Sequence, residues 1–182
     1  MVDPATGADA TIIWLLAHFP QTEEATVRIG AAATLHRRTG LPIWIFGSRS
    51  AQFPDSVEAQ FRARLVACGV PDEAIRCSVD LTDALTLATA QEAMNVASVA
   101  GTRGVTTLLC VSNRLQLLQV RGLLRRSPLR LVMAPVPLRD HRWWYVLGRL
   151  LLIPIAFLGV GPRFTPLVLL RRARASWSAW PF

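Results

Sequence analysis

The chain is predicted to be an α/β protein built on a mainly parallel sheet of about five strands, with helices on both faces. Three observations point there. Apolar runs of strand length alternate with patterns of helical period along most of the chain. The helices carry readable start and stop signals. The 182 residues are 52% hydrophobic and only 18% charged, with a mean hydropathy of +0.34, which suits strands buried on both faces and one domain with a real core. So apolar a composition excludes a disordered chain, and 11 Gly exclude collagen.

Residues 1–10 carry no basic cluster and do not resemble a signal peptide; they are expected to be a disordered N-terminus. The α/β domain then runs over 11–140. The first strand is Thr11 to Ala17, too short to span a bilayer. A helix follows from about Glu23 to Arg38. Thr22 is its cap, Glu23 and Glu24 lie in the positive first turn, Arg37 and Arg38 in the last, and Gly40 just beyond. Leu41 to Phe46 reads as the second strand. The next helix, Ser56 to Cys68, puts Val57, Phe61, Leu65 and Cys68 on one face and pairs Glu58 with Arg62 on the other. Ala74 to Val79 is the third strand, and an Ala-rich helix from Asp83 to Ala100 follows, capped by Thr82. Val105 to Val111, a helix from Arg114 to Arg126, and Leu129 to Ala134 complete the alternation. Such βαβ units make right-handed crossovers and a Rossmann-like sheet.

Ligands of such sheets sit outside the carboxyl ends of the strands. The residues there include His18, Ser48 to Ser50, and Ser112 to Arg114, with hydroxyls, an amide and guanidiniums suited to a phosphate or carboxylate. The same residue types also serve as ordinary turns and caps. His18 is placed to act as an acid or base, whereas His36, beside two arginines, reads as solvated. No dinucleotide fingerprint, P-loop, metal cluster or nucleophile elbow occurs, so no cofactor or metal is indicated. Cys68, Cys77 and Cys110 read as buried thiols in a reducing compartment.

Charge is uneven. Residues 1–92 hold 7 Arg against 11 acids, and residues 93–182 hold 13 Arg against Asp140 alone. The segment 141–182 is hydrophobic and rich in Arg and Trp, and its longest uncharged stretch, Leu150 to Pro162, is 13 residues. Crossing a bilayer takes about 20. Pro154 and the Gly159 to Pro162 stretch are expected to break its helix. Trp143, Trp144, Arg149, Trp177 and Trp180 are candidates to contact an anionic membrane surface, the segment lying on or dipping into it. Packing of Leu150 to Val160 against the sheet is the alternative, and nucleic acid is the poorer partner for so apolar a segment.

From Arg28 to about Trp144 the order of motifs resembles the YdcF-like, domain of unknown function 218 family. Arg28 opens RIGAAATLH, as an Arg opens the family's Ala-rich helix. PIWIFGS keeps Gly47 of the family's Ser-Gly-Gly turn, with Ser48 beside it, and SVEAQFRARLVACGVP matches its Ser-Glu-Ala helix at Glu58. TLATAQEA keeps Thr89 and Ala93 but has Ala88 and Gln91 at the family's Asn and Glu. VSNRLQLLQV keeps Ser112, with Gln116 and Gln119 at the family's His and Arg. The resemblance implies an α/β domain of the bacterial cell envelope that binds a phosphorylated or nucleotide-like ligand, as in peptidoglycan or polyprenyl-phosphate metabolism, at the cytoplasmic face of the inner membrane. It implies a pocket of Arg28, Gly47, Ser48, Glu58, Thr89, Ser112 and Arg114. Whether the chain is an enzyme stays open, because Gln116 and Gln119 cannot shuttle protons near neutral pH. The alternatives are S-adenosylmethionine binding, or a membrane-surface scaffold whose site is vestigial.

Overall fold

A computed structural model of the protein describes residues 10–17, 21–47, 57–82, 89–139 and 143–158. Five strands, β1 (Ala10–Leu16), β2 (Ile43–Phe46), β3 (Ile75–Cys77), β4 (Val105–Asn113) and β5 (Arg130–Val136), form one sheet in the order β3-β2-β1-β4-β5. Every pairing is parallel. The α/β reading is thus correct, and the sheet is wholly parallel.

The central strand explains the helices' positions. Ile13 and Leu15 of β1 join a core with α1 (Glu23–Thr39) and α2 (Val57–Ala67), while Ile12, Trp14 and Leu16 join a second core with α4 (Thr89–Thr102) and α5 (Arg114–Leu123). Apolar residues at every position from Ile12 to Leu16 are what burial on both faces requires. The local signals of α1 act as read: Thr22 Oγ1 accepts from the Ala25 N–H at 3.2 Å, and Gly40, at φ 68°, donates its N–H to His36 O at 2.7 Å. That left-handed C-cap favours glycine.

Four local expectations are corrected. The helix α2 ends at Ala67, which takes Cys68 off its apolar face and leaves it exposed, while Cys77 and Cys110 are buried. Arg62 does not pair with Glu58; its fork meets Asp72, with Nε to Oδ1 at 2.7 Å and NH2 to Oδ2 at 2.6 Å. Glu58 turns inward instead. The third strand stops at Cys77 rather than Val79 and is followed by a short α3 (Ser78–Leu81), which Thr82 closes by donating its N–H to Ser78 O; the helix start expected at Asp83, with Thr82 as its cap, falls outside the described residues. Residues 83–88 lie outside the described part. His36 is held rather than solvated, its Nδ1 donating to Leu41 O at 2.8 Å.

Beyond the sheet, α6 (Trp143–Phe157) packs on α5. Pro154 sits inside it without ending it, and Leu158 N still donates to Pro154 O at 2.9 Å. The two helices touch at Gly122, where a Cβ would lie 2.9 Å from Phe157 Cδ2 and 3.0 Å from the Phe157 backbone nitrogen. Glycine is what permits that approach. Leu150 and Leu151 stay exposed, so this stretch is not part of the sheet's core.

Candidate functional site

In a sheet ordered 3-2-1-4-5 the direction of winding reverses between β1 and β4, and the crevice at their carboxyl ends is where such folds place ligands. Four helices send polar side chains there. From α1, fully buried Arg28 donates NH1 to Leu16 O at 3.0 Å, at the end of β1, and NH2 to Glu24 Oε1. At the end of β4, Asn113 donates Nδ2 to the same Glu24 oxygen at 2.6 Å, and its Oδ1 caps α5 by accepting from Gln116 N at 2.9 Å. Ser112 Oγ donates to Gln116 Oε1 at 3.0 Å, and Gln116 Nε2 reaches Thr89 Oγ1 on α4 at 3.5 Å. From α6, Arg149 donates NH1 to Gln119 Oε1 at 2.6 Å and to Thr89 Oγ1 at 3.2 Å.

Glu92, in the first turn of α4, is buried at the centre of this group. Burial pushes its carboxyl up to about 8, against the opposing pull of Arg28, the Ala17 backbone N–H, Arg149 and the Trp14 indole. Glu92 is therefore mostly neutral at pH 7. The indole lies close to the carboxyl without completing a hydrogen bond. Glu92 Oε1, Trp14 Nε1 and Arg28 Nε are all buried and have no hydrogen-bond partner. Unpaired buried polar atoms are rare and costly, and here these three, with Glu24 Oε2 beside them, belong to neighbouring side chains at the carboxyl edge of the sheet. Arg28 is neutralised by Glu24, so the net positive character of that edge comes from Arg149 and the N-termini of α4 and α5, with neutral Glu92 between them.

A second group closes the ends of β2 and β3. Glu58 Oε1 accepts from Gly47 N at 2.7 Å and from Ser78 Oγ, while Oε2 accepts from Ser78 N at 3.1 Å. Gly47 is required, because a Cβ there would lie 2.8 Å from Glu58 Cγ.

Of the residues expected in one pocket, Arg28, Thr89 and Ser112 come together at the β1/β4 crevice. Glu58 and Gly47 lie at the neighbouring β2/β3 ends, their polar groups taken by each other and by Ser78. Arg114 begins α5 at the same edge with its side chain exposed. Ser48 and His18 lie outside the described residues, as do Trp177 and Trp180. The positions of Trp143 and Trp144 are described only as part of the α6 backbone. Arg149, expected at a membrane, has its guanidinium on Gln119 and Thr89. The thiols offer no nucleophile among the buried pair: burial pushes Cys77 up to about 11 and Cys110 up to about 12. No group of three or more potential metal ligands occurs among the described residues.

Sequence reasoning missed Glu24 and Glu92, named Asn113 only as the amide among the polar residues after a strand, and gave Arg149 to a membrane surface. A signal for the two acids was present: each adjoins apolar positions of its helix, Ala25 and Ile29 for Glu24, Ala93 and Val96 for Glu92, so each carries a carboxylate at the edge of a buried stripe. No protein-family model matches the chain, and no curated protein matches it.

Proposed function

We propose that the protein is a YdcF-like, envelope-associated α/β domain that binds a phosphorylated or nucleotide-like ligand over the carboxyl ends of β1 and β4. The observation that carries this reading is the meeting of Arg28 and Arg149, from opposite sides, around neutral Glu92 at the point where the sheet reverses its winding. Gln116 and Gln119 are not idle substitutes for charged groups. Gln119 holds the guanidinium that α6 supplies, so the site retains a cation although α5 gives it none. This favours a working site over a vestigial one.

Calorimetric titration of the full-length protein with nucleotides, polyprenyl phosphate and S-adenosylmethionine tests the reading. A phosphorylated ligand is expected to saturate the site. Removing one charge-assisted donor with Arg149→Gln is expected to weaken that binding about 10- to 100-fold. Saturation by S-adenosylmethionine alone overturns the phosphate reading, and no saturable binding by any of them leaves the scaffold.

The proposed contact with a membrane surface, expected at the cytoplasmic face of the inner membrane, draws its support for contact from α6. Leu147 is 47% exposed, Leu150 50%, Leu151 60% and Leu158 72%, and their spacing puts them on one helix face, opposite the contact with α5. No helix among the described residues is long and apolar enough to cross a membrane. A surface contact is the fitting mode for such a helix next to an Arg-rich segment. The wild-type protein is expected to float with anionic liposomes, and Leu147→Glu with Leu151→Glu to reduce the floated fraction several-fold. Equal partitioning of wild type and variant overturns the membrane contact.

A further inference from the structure

We infer that Glu92 serves the β1/β4 site as a proton-carrying hydrogen-bond donor, so that with Arg28 and Trp14 it selects a fully ionised oxyanion, the chemistry shared by a phosphomonoester dianion and sulfate. The inference rests on the ligand reading above and gives it a selection rule.

The geometry supplies the argument. Among the described residues, four buried side-chain atoms lack a hydrogen-bond partner: Arg28 Nε, Trp14 Nε1, Glu92 Oε1 and Oε2 of Glu24, whose Oε1 holds Arg28 and Asn113. The first two are donors only. The third is a donor only if the carboxyl keeps its proton. With the proton in place the group offers three donors and suits an ion that only accepts. Without it, a second carboxylate, beside the Glu24 carboxylate already paired with Arg28, would stand against the incoming anion.

The surroundings of Glu92 decide which form is present. The groups acting on it are Arg28 on α1, the Trp14 indole and Ala17 N–H at the end of β1, and Arg149 on α6. Cys110 on β4 faces it as well. Glu24 on α1 is bound to Arg28 and Asn113. Burial outweighs the two cations and holds the carboxyl up at about 8. The sign follows: below that value the site is ready for an oxyanion, and above it each anion must bring a proton with it. Cys110, held up at about 12, does not titrate in that range.

Sulfate is the suitable probe, because it carries no titrating proton near neutrality. Calorimetry of the full-length protein between about pH 6 and about pH 9.5 is expected to give a constant affinity at the acid end and a fall of about tenfold per pH unit above 8. Proton uptake, measured in buffers of different ionisation enthalpy, is expected to rise toward one proton per sulfate over the same interval. Glu92→Gln, a neutral donor at every pH, is expected to bind with no pH dependence. If that variant does not fold, wild-type proton uptake decides alone. A flat wild-type profile without proton uptake overturns the inference, as does an unchanged fall in Glu92→Gln. Binding of polyprenyl phosphate or a nucleotide without any sulfate binding overturns the inference and leaves the phosphate reading standing. Absence of all binding overturns both.

Discussion

Arg28→Ala is expected to destabilise the protein by about 3–5 kcal/mol, the cost of stripping one partner from a buried ion pair. The side chain is 0% exposed and joins three elements: its own helix α1, the last carbonyl of β1 through NH1 to Leu16 O at 3.0 Å, and the Glu24 carboxylate. Removing it leaves a carboxylate in the interior with its cation gone, and frees Leu16 O at the edge where β1 meets the site. Most of the loss belongs to the stranded charge rather than to the pair's net worth, since a well-made buried pair contributes little relative to an apolar substitute. The double variant Arg28→Met with Glu24→Gln is therefore expected to be closer to wild type than Arg28→Ala, a coupling that urea unfolding of the set measures. A single-variant cost below about 1 kcal/mol, or a double variant worse than the single, contradicts this account.

How much of the molecule was legible in the sequence follows from the range of each signal. Thr22 and Gly40 acted as read because caps are local, involving atoms three or four residues away. The run Ile43–Phe46 was legible because a strand buried on both faces needs apolar residues at every position. The third strand was read two residues too long because Ser78 and Val79, which open the short helix α3, continue the strand's residue types. Pro154 was misread because its position in a helix docked on α5 outweighs the loss of one backbone donor. The site divides in the same way. Arg28, Thr89 and Ser112 were found through the order of motifs, but Arg149 was assigned to the membrane because nothing near it in sequence specifies that α6 docks on α5 and turns one arginine toward Gln119. That docking depends on Gly122, more than twenty residues before Arg149, and on its close approach to Phe157.

Glu58→Ala is expected to cost a similar amount, about 3–5 kcal/mol, because three donors lose their acceptor at once and each unmade buried hydrogen bond costs about 1–3 kcal/mol. The donors are the Gly47 and Ser78 backbone nitrogens, at 2.7 and 3.1 Å, and Ser78 Oγ. Gly47 directly follows β2 and Ser78 directly follows β3, so one carboxylate from α2 ties down the carboxyl ends of two neighbouring strands. Neutral Glu58→Gln is expected to recover only part of the loss: one amide oxygen still accepts, while the NH2 group faces a donor. Urea unfolding gives the stability terms, and ligand titration of the folded variant separates two roles for this residue. With both carboxyl oxygens engaged by the protein's own donors, Glu58 is expected to lower stability while leaving the ligand affinity of the folded fraction within about threefold of wild type, the scale on which distant sites remain independent. A loss of affinity as large as that of Arg149→Gln would instead put Glu58 in the ligand's own shell, and would mean that the β2/β3 ends and the β1/β4 crevice work as one site.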